Sequence, residues 1–150
     1  MKPSIPLSLY IHIPWCERKC PYCDFNSHEN YSPGVEPLYV SALLNDLDQQ
    51  LDLVGGRPIS TIFFGGGTPS LFSATAIDQI LKGVRSRVSV DDNCEITLES
   101  NPGSAEAAKY KAYKDAGVNR LSIGVQSFDD SKLKDLGRIH SSDEAKAAID

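Results

Sequence analysis

The fold is decided by residues 7–23, which read LSLYIHIPWCERKCPYC. The segment from Leu7 to Ile13 is rich in apolar and β-branched residues and predicts a buried strand, which Pro14 ends. Three cysteines follow this strand with the spacing C-x-x-x-C-x-x-C: Cys16, Cys20 and Cys23. They open a long loop that runs to Pro37. In (β/α) barrels the loops beyond the carboxyl ends of the strands carry the functional site, so this loop is the first candidate site.

The cysteine spacing leaves several chemistries open. A disulfide framework favours spread-out cysteines, whereas three of the four here crowd one loop and Cys94 lies far away. A structural zinc ion needs four ligands, so His12 or His28 would have to complete the set. Chance clustering of buried thiols is a further alternative. Three thiolates also hold an iron–sulfur cluster with one open iron, which can bind the amine and carboxylate of S-adenosylmethionine (SAM).

The rest of the chain alternates strands and helices. Further strands are predicted over Ile59 to Phe64, Cys94 to Leu98 and Leu121 to Val125. Helices are predicted from Pro37 to Val54, after Ser73, from Ala105 to Ala116 with Ser104 as the cap, and at the capping box Ser141-Ser142-Asp143-Glu144. The βαβα order predicts an α/β fold with one parallel sheet. The sequence ends within the last helix, so we expect residues 1–150 to be one truncated domain of about four β/α units.

Composition narrows the class of protein. The chain has 15 Lys and Arg against 20 Asp and Glu, for a formal charge of -5, which gives no general attraction to nucleic acid. No apolar run approaches the roughly 20 residues of a membrane span. Prolines at Pro3 and Pro6 stand where a secretory signal carries its apolar core. These features lead us to expect a cytoplasmic protein.

Further polar positions follow the later strands. Residues 65–70 read GGGTPS, and we expect these glycines to let backbone groups cradle the polar end of a ligand. The loop lacks the spacing and Lys of a P-loop. Glu99 and Gln126 are expected at the same edge of the sheet, and Arg138 is a candidate partner for a carboxylate. A tight turn, a helix cap and a surface arginine remain the alternatives for these positions, and the loop histidines His28 and His140 are expected to be solvated.

Several motifs appear together and in a fixed order: YIHIPWC (10–16), CPYCDF (20–25), GGGTP (65–69), ESNPG (99–103) and GVQSF (124–128). With them the chain resembles the radical SAM enzymes, and within these the oxygen-independent coproporphyrinogen III oxidase family. The resemblance implies a partial (β/α)6 TIM-like barrel with parallel strands, of which this chain is the N-terminal part. It implies that Cys16, Cys20 and Cys23 ligate a 4Fe–4S cluster. It also implies a SAM site formed by Tyr10, Tyr22, Gly66, Gly67, Thr68, Glu99, Gln126 and Arg138.

One departure from the family pattern bears on function. The oxidases carry a further Cys two positions after the third cluster Cys, where this sequence has Phe25. That variant resembles a branch of heme chaperones, which implies binding of heme and its delivery to acceptor proteins such as respiratory enzymes, with peripheral contact to membrane-bound acceptors. The alternative is an enzyme that decarboxylates the propionates of coproporphyrinogen III oxidatively.

Overall fold

The computed structural model describes residues 5–103 and 108–150, and within them four strands form one parallel sheet. The strands lie in the order β1-β2-β3-β4, with β1 at Leu7–Ile13, β2 at Ile59–Gly66, β3 at Val90–Ser100 and β4 at Arg120–Ile123. The helices are α1 (Glu36–Val54), α2 (Ala74–Arg85), α3 (Tyr110–Ala116), α4 (Asp130–Asp135) and α5 (Ser142–Ala147). The predicted α/β fold with a parallel sheet is confirmed.

One face of the sheet is buried against the helices. Alternate strand residues supply this face, as the two-residue period of a strand requires: Ile11, Ile13, Ile62, Phe64, Ile96 and Leu98. The predicted apolar stripe of α2 packs against them, with Ile77, Ile80, Leu81 and Val84 almost fully buried. The same alternation turns Tyr10, Phe63 and Glu99 to the opposite face of the sheet. That face therefore carries the polar and aromatic groups available for ligands.

Local capping signals are confirmed wherever the structure describes them. The Ser73 side chain accepts from the backbone N–H of Ala76, and Ser141 and Glu144 form the predicted capping box. Gly117 ends α3 in the left-handed conformation, with φ of 114°. The expected cap at Ser104 lies outside the described residues. The main difference is α4, which the hydrophobic pattern did not predict; Asp129 caps it and Leu133 is its buried residue.

Candidate functional site

The carboxyl ends of the four strands meet at one edge of the sheet, as parallel pairing requires. Ile13 pairs with Gly66, and Ser100 pairs with Ile123. A cavity of about 280 Å³ lies at this edge. Its walls include ten of the eleven residues expected in the site: Cys16, Cys20, Tyr22, Cys23, Gly66, Gly67, Thr68, Glu99, Gln126 and Arg138. The fold thus gathers residues that span most of the chain around one space.

The start of the cysteine loop is fixed by backbone pairing. The N–H of Cys16 donates to the carbonyl oxygen of His28 at 2.9 Å, and the N–H of His28 donates to that of Pro14 at 2.7 Å. This parallel bridge closes the long loop across its middle and holds Cys16 in a buried position. Farther along, the N–H of Cys23 donates to the carbonyl oxygen of Cys20 at 3.0 Å, so these two half-buried thiols share one tight turn.

An aromatic cluster anchors the residue that precedes the first cysteine. The ring of Trp15 stacks on Phe72, with centroids 5.6 Å apart, and meets the edge of Tyr39 at 4.8 Å. Tyr39 also donates its hydroxyl proton to the carbonyl oxygen of His12 at 2.7 Å. Because Trp15 is bonded to Cys16, this packing limits where the first thiol can move.

The donor set fits a cluster better than a single metal ion. Among residues 5–103 and 108–150, no three His, Cys, Asp or Glu side chains converge on a point that one ion could occupy. Instead the three thiols face a shared cavity, and a cubane takes each thiolate on a different iron. His12, a candidate fourth zinc ligand, has both ring nitrogens within hydrogen-bond distance of other groups, the Tyr10 hydroxyl and the Asn26 carbonyl oxygen. His12 is therefore already engaged within the protein.

The glycine loop approaches the cysteine loop so closely that a side chain would not fit. A Cβ on Gly67 would lie 2.5 Å from the carbonyl oxygen of Trp15 and 3.0 Å from Sγ of Cys16. Gly66 has φ of +122°, and a Cβ there would lie 2.8 Å from the carbonyl oxygen of Ile13. At these two positions glycine is therefore required by the close approach of the two loops to each other, whereas the expected contact with a ligand stays a prediction.

The backbone N–H groups of this loop already donate within the protein, so they are not free to hold the polar end of a ligand. The N–H groups of Gly67 and Thr68 donate to the carbonyl oxygens of Ile13 and Trp15 at 2.9 and 2.7 Å. The N–H of Gly66 donates to Oε2 of Glu99 at 3.3 Å. Because these donors already have acceptors, the backbone of the loop is better suited to accept from a ligand ammonium than to donate to a carboxylate.

Glu99 is a half-buried carboxylate in the cavity wall. Burial raises its pKa, and the hydrogen bond from the Gly66 N–H opposes that shift in part. Tyr10 lies beside Glu99 but does not line the cavity; its ring stacks on Phe63, with centroids 6.3 Å apart, and its side chain is 58% exposed. Burial and the nearby Glu99 charge raise the pKa of the Tyr10 hydroxyl. A positively charged ligand group beside Glu99 would offset the free-energy cost of ionising this half-buried carboxyl.

Arg138 contacts both sides of the cavity. Its Nη1 lies 3.5 Å from Sγ of Cys20, and its Nη2 donates to Oδ1 of Asn101 and to the carbonyl oxygen of Gly124, each at 2.7 Å. Tyr22 stands beside this pair: burial and its hydrogen bond to Cys20 raise the pKa of the hydroxyl, while Arg138 lowers it. Asn101 was not among the expected site residues, although it lies inside a recognised motif.

The turn after β4 has an unusual backbone. Gln126 has φ of +66°, the one positive φ of a non-glycine residue in the described ranges, and its side chain lines the cavity. Such strain is often found at functional sites. His140 supports this turn, with Nε2 at 3.0 Å from the carbonyl oxygen of Val125. The expectation of a solvated His140 is wrong, because the side chain is 7% exposed, whereas His28 is exposed as expected.

Comparison with known proteins agrees with this geometry. A family model described as the Radical SAM superfamily matches residues 10–150. The chain belongs to the radical SAM superfamily. The radical SAM structure of Escherichia coli coproporphyrinogen III oxidase, HemN, is similar, with a TM-score of 0.85 and 30% identity over 96% of this chain and 33% of that one. The expected partial TIM-like barrel is thereby confirmed, and this chain corresponds to its N-terminal part.

Further known proteins are similar to this chain. Heme chaperone HemW of Escherichia coli is 57% identical over 95% of this chain and 38% of its own length. Heme chaperone HemW of Haemophilus influenzae is 54% identical over 96% of this chain and 39% of its own length. The cobalamin-dependent radical enzyme OxsB shares the fold alone, at 18% identity and a TM-score of 0.61, over 95% of this chain and 21% of its own.

The chain spans 38–39% of the length of the two HemW proteins. No helix in the described part of this radical SAM chain is long and apolar enough to cross a membrane.

Proposed function

We propose that this chain is the radical SAM core, residues 1–150, of a heme chaperone that binds heme and delivers it to acceptor proteins. The observation that carries the proposal is the gathering of three cysteines, the glycine loop and polar side chains that include Glu99, Gln126 and Arg138 around one cavity. Identity of 57% to a protein named heme chaperone HemW supports the assignment of the branch. Heme is then cargo, and the resident cofactors are a 4Fe–4S cluster and SAM.

The residues divide into a cluster half and a SAM half. We assign Cys16, Cys20 and Cys23 as cluster ligands, with Tyr22 packed beside Cys20. When bound, such a cluster supplies an electron that can cleave the sulfonium of SAM. The aromatic cluster around Trp15 restricts the position of Cys16, and the glycines without side chains let the two loops approach closely.

The second half of the cavity suits the methionine end and ribose of SAM. Gly66, Gly67 and Thr68 present a close backbone surface to the ligand amine, and Glu99 provides a carboxylate beside it. Gln126 and Arg138 complete the wall. Tyr10 would close the site from the open face of the sheet, where it neighbours Glu99.

Phe25 distinguishes the chaperone from the oxidase. It lines the cavity and is 63% exposed, so an apolar ring stands at the position where the oxidases carry a further thiol. An exposed aromatic side chain at a cavity mouth suits a flat apolar cargo. The second candidate, oxidative decarboxylation of coproporphyrinogen III, is favoured by the TM-score of 0.85 to HemN.

One experiment separates the two candidates. The protein is reconstituted with iron and sulfide without oxygen and given coproporphyrinogen III, SAM and a reductant, and in parallel it is titrated with heme. The chaperone proposal expects a stable heme complex and no protoporphyrinogen. Formation of protoporphyrinogen over many turnovers would establish the oxidase instead.

We further propose a cytoplasmic location with contact to membrane-bound heme acceptors at their periphery. Three of the four cysteines crowd one loop instead of the spread-out pairs of a disulfide framework, which suits a reducing compartment. The formal charge of -5 gives no reason to include nucleic acid among the partners.

A further inference from the structure

Two side chains connect the glycine loop to the cysteine loop. Nδ2 of Asn101 donates to Oγ1 of Thr68 at 3.2 Å, and Oδ1 of the same amide accepts from Nη2 of Arg138 at 2.7 Å. Nη1 of Arg138 then donates to Sγ of Cys20 at 3.5 Å. A continuous path of hydrogen bonds therefore joins the loop assigned to SAM to one of the thiols assigned to the cluster.

The guanidinium of Arg138 is arranged to hold protein groups. Its Nη2 donates to both Asn101 and the carbonyl oxygen of Gly124, so both hydrogens of that nitrogen have acceptors. A guanidinium binds a carboxylate in a bidentate manner along one of two edges, and each edge includes Nη2. Neither edge is therefore free for a ligand carboxylate, and the buried Nε has no hydrogen-bond partner within the described residues.

The backbone beside Arg138 is also built for contact with the cysteine loop. Gly137 has φ of +71°, and a Cβ there would lie 2.8 Å from Cδ of Pro21. Pro21 directly follows Cys20 in the sequence. The turn that ends α4 thus meets the cysteine loop at the point where Arg138 contacts the thiol.

We propose that Asn101 and Arg138 are positioning residues that couple the two loops, so that SAM affinity depends on how Cys20 is held. The inference rests on the proposed function, because it concerns the same cluster and SAM site. A cationic donor at a ligand sulfur stabilises added negative charge there, so Arg138 also raises the reduction potential of a bound cluster.

The test is a double-mutant cycle on the anaerobically reconstituted protein. Arg138→Met, Asn101→Leu and the double variant are compared by SAM titration, and the cluster potential is measured without SAM. Each single change is expected to weaken SAM binding about 10-fold. Because both changes break one path, the double variant is expected to be no weaker than the worse single variant. The Arg138→Met cluster is expected to have a more negative potential.

The opposite results are equally specific. A loss of SAM affinity of about 100-fold in the double variant, the product of the two single losses, would overturn the coupling. Arg138 and Asn101 would then act on the ligand separately. An unchanged potential in Arg138→Met would show that the guanidinium does not hold Cys20. Absence of any cluster in the parent protein would instead contradict the proposed function.

Two further variants guard against a general loss of structure. Arg87→Met removes an arginine that pairs with Asp48 outside the cavity, at 2.7 Å, and is expected to leave both SAM affinity and potential unchanged. Arg138→Lys keeps the positive charge but cannot reach all its partners, so SAM affinity is expected to fall while the potential stays near that of the parent. Full SAM affinity in Arg138→Lys would overturn the proposal even where the Met variant assembles no cluster.

Discussion

Glu99 accepts a hydrogen bond from the backbone N–H of Gly66 at 3.3 Å, which joins the end of β3 to the glycine loop. Burial raises the pKa of this carboxyl, so the charged form that predominates at neutral pH is held at a cost. A positively charged ligand group beside Glu99 would offset this cost. We therefore expect two roles for Glu99: it accepts from Gly66 in the ligand-free protein, and it faces the positive group when the ligand is bound.

Glu99→Gln separates these roles. Glutamine can still accept from the Gly66 N–H but removes the costly charge, so the ligand-free variant is expected to be more stable at neutral pH by no more than about 1 kcal/mol. In the parent protein, the folded state keeps the Glu99 proton to a higher pH than the unfolded state does. The stability that protonated Glu99 contributes therefore decreases as the pH rises from the ordinary carboxyl pKa through the raised one. Loss of the carboxylate, which is proposed to contact the ligand directly, is expected to weaken SAM binding about 10-fold.

Thermal unfolding between pH 4 and 8, together with SAM titration, checks both outcomes (an interval set by the ordinary carboxyl pKa of about 4.3). A Gln variant that is less stable than the parent across the whole interval would contradict the assigned cost of the charge.

Gly66→Ala tests the close approach of the two loops. A Cβ there would lie 2.8 Å from the carbonyl oxygen of Ile13, a backbone atom that cannot rotate away, so we expect a loss of about 3 kcal/mol in unfolding free energy together with weaker SAM binding. Gly56→Ala is the matched control, because Gly56 also has a positive φ, +70°, but nothing lies within 4 Å of its Cβ position. The control is expected to lose only about 1 kcal/mol, the cost of the backbone conformation. Equal losses and unchanged SAM affinity in both variants would argue against the steric account.

Three of the four cysteines are expected to be required for cluster assembly, and the fourth is not. Cys20→Ala, and likewise Cys16→Ala or Cys23→Ala, removes a ligand and is expected to abolish normal assembly of the cluster. Cys94→Ala is the matched control: Cys94 is buried in β3 within the hydrophobic core, so its replacement is expected to cost about 1 kcal/mol and leave iron content unchanged. Iron and sulfide analysis after oxygen-free reconstitution provides the measurement. Full iron content in Cys20→Ala would be incompatible with the assignment.

His140 is expected to make the fold sensitive to mild acid. Burial is the main cause that lowers its pKa, with Arg138 acting in the same direction and the Val125 carbonyl and Glu144 opposing it. The unfolded state therefore takes up the proton first as pH falls below about 6.5, and stability decreases through that interval. His140→Gln should flatten this dependence in denaturant unfolding between pH 5 and 8. A parent whose stability does not change there would contradict the burial of a neutral imidazole.

The chain's local signals predicted most of the scaffold. The strand before the cysteines, the long amphipathic α1 and the caps at Ser73 and Ser141 each depend on residues close in sequence, so pattern and capping chemistry were sufficient. The six-residue α4 was missed because a single buried residue, Leu133, gives no readable period. Its existence depends on packing that only the folded chain supplies.

The sequence motifs identified residues that line the cavity, but they did not predict the contacts among those residues. Cys16 and Gly67 could be recognised from motifs, yet their contact depends on the pairing of β1 with β2, which sets the two loops side by side. The roles of Asn101 and His140 likewise arise from contacts across long stretches of chain, 37 residues in the case of Asn101 and Arg138. A histidine in a predicted loop is expected to be solvated, and the contact of His140 with the Val125 carbonyl oxygen forms only when the chain has folded.

The most direct test of the account is electron paramagnetic resonance on the reduced, oxygen-free protein, recorded before and after addition of SAM. We predict a signal of a reduced 4Fe–4S cluster whose shape changes when SAM occupies the open iron. Oxygen-free material that takes up no such cluster, or a cluster whose spectrum is identical with and without SAM, would contradict the central claim that three thiols and the facing cavity form one joint cofactor site.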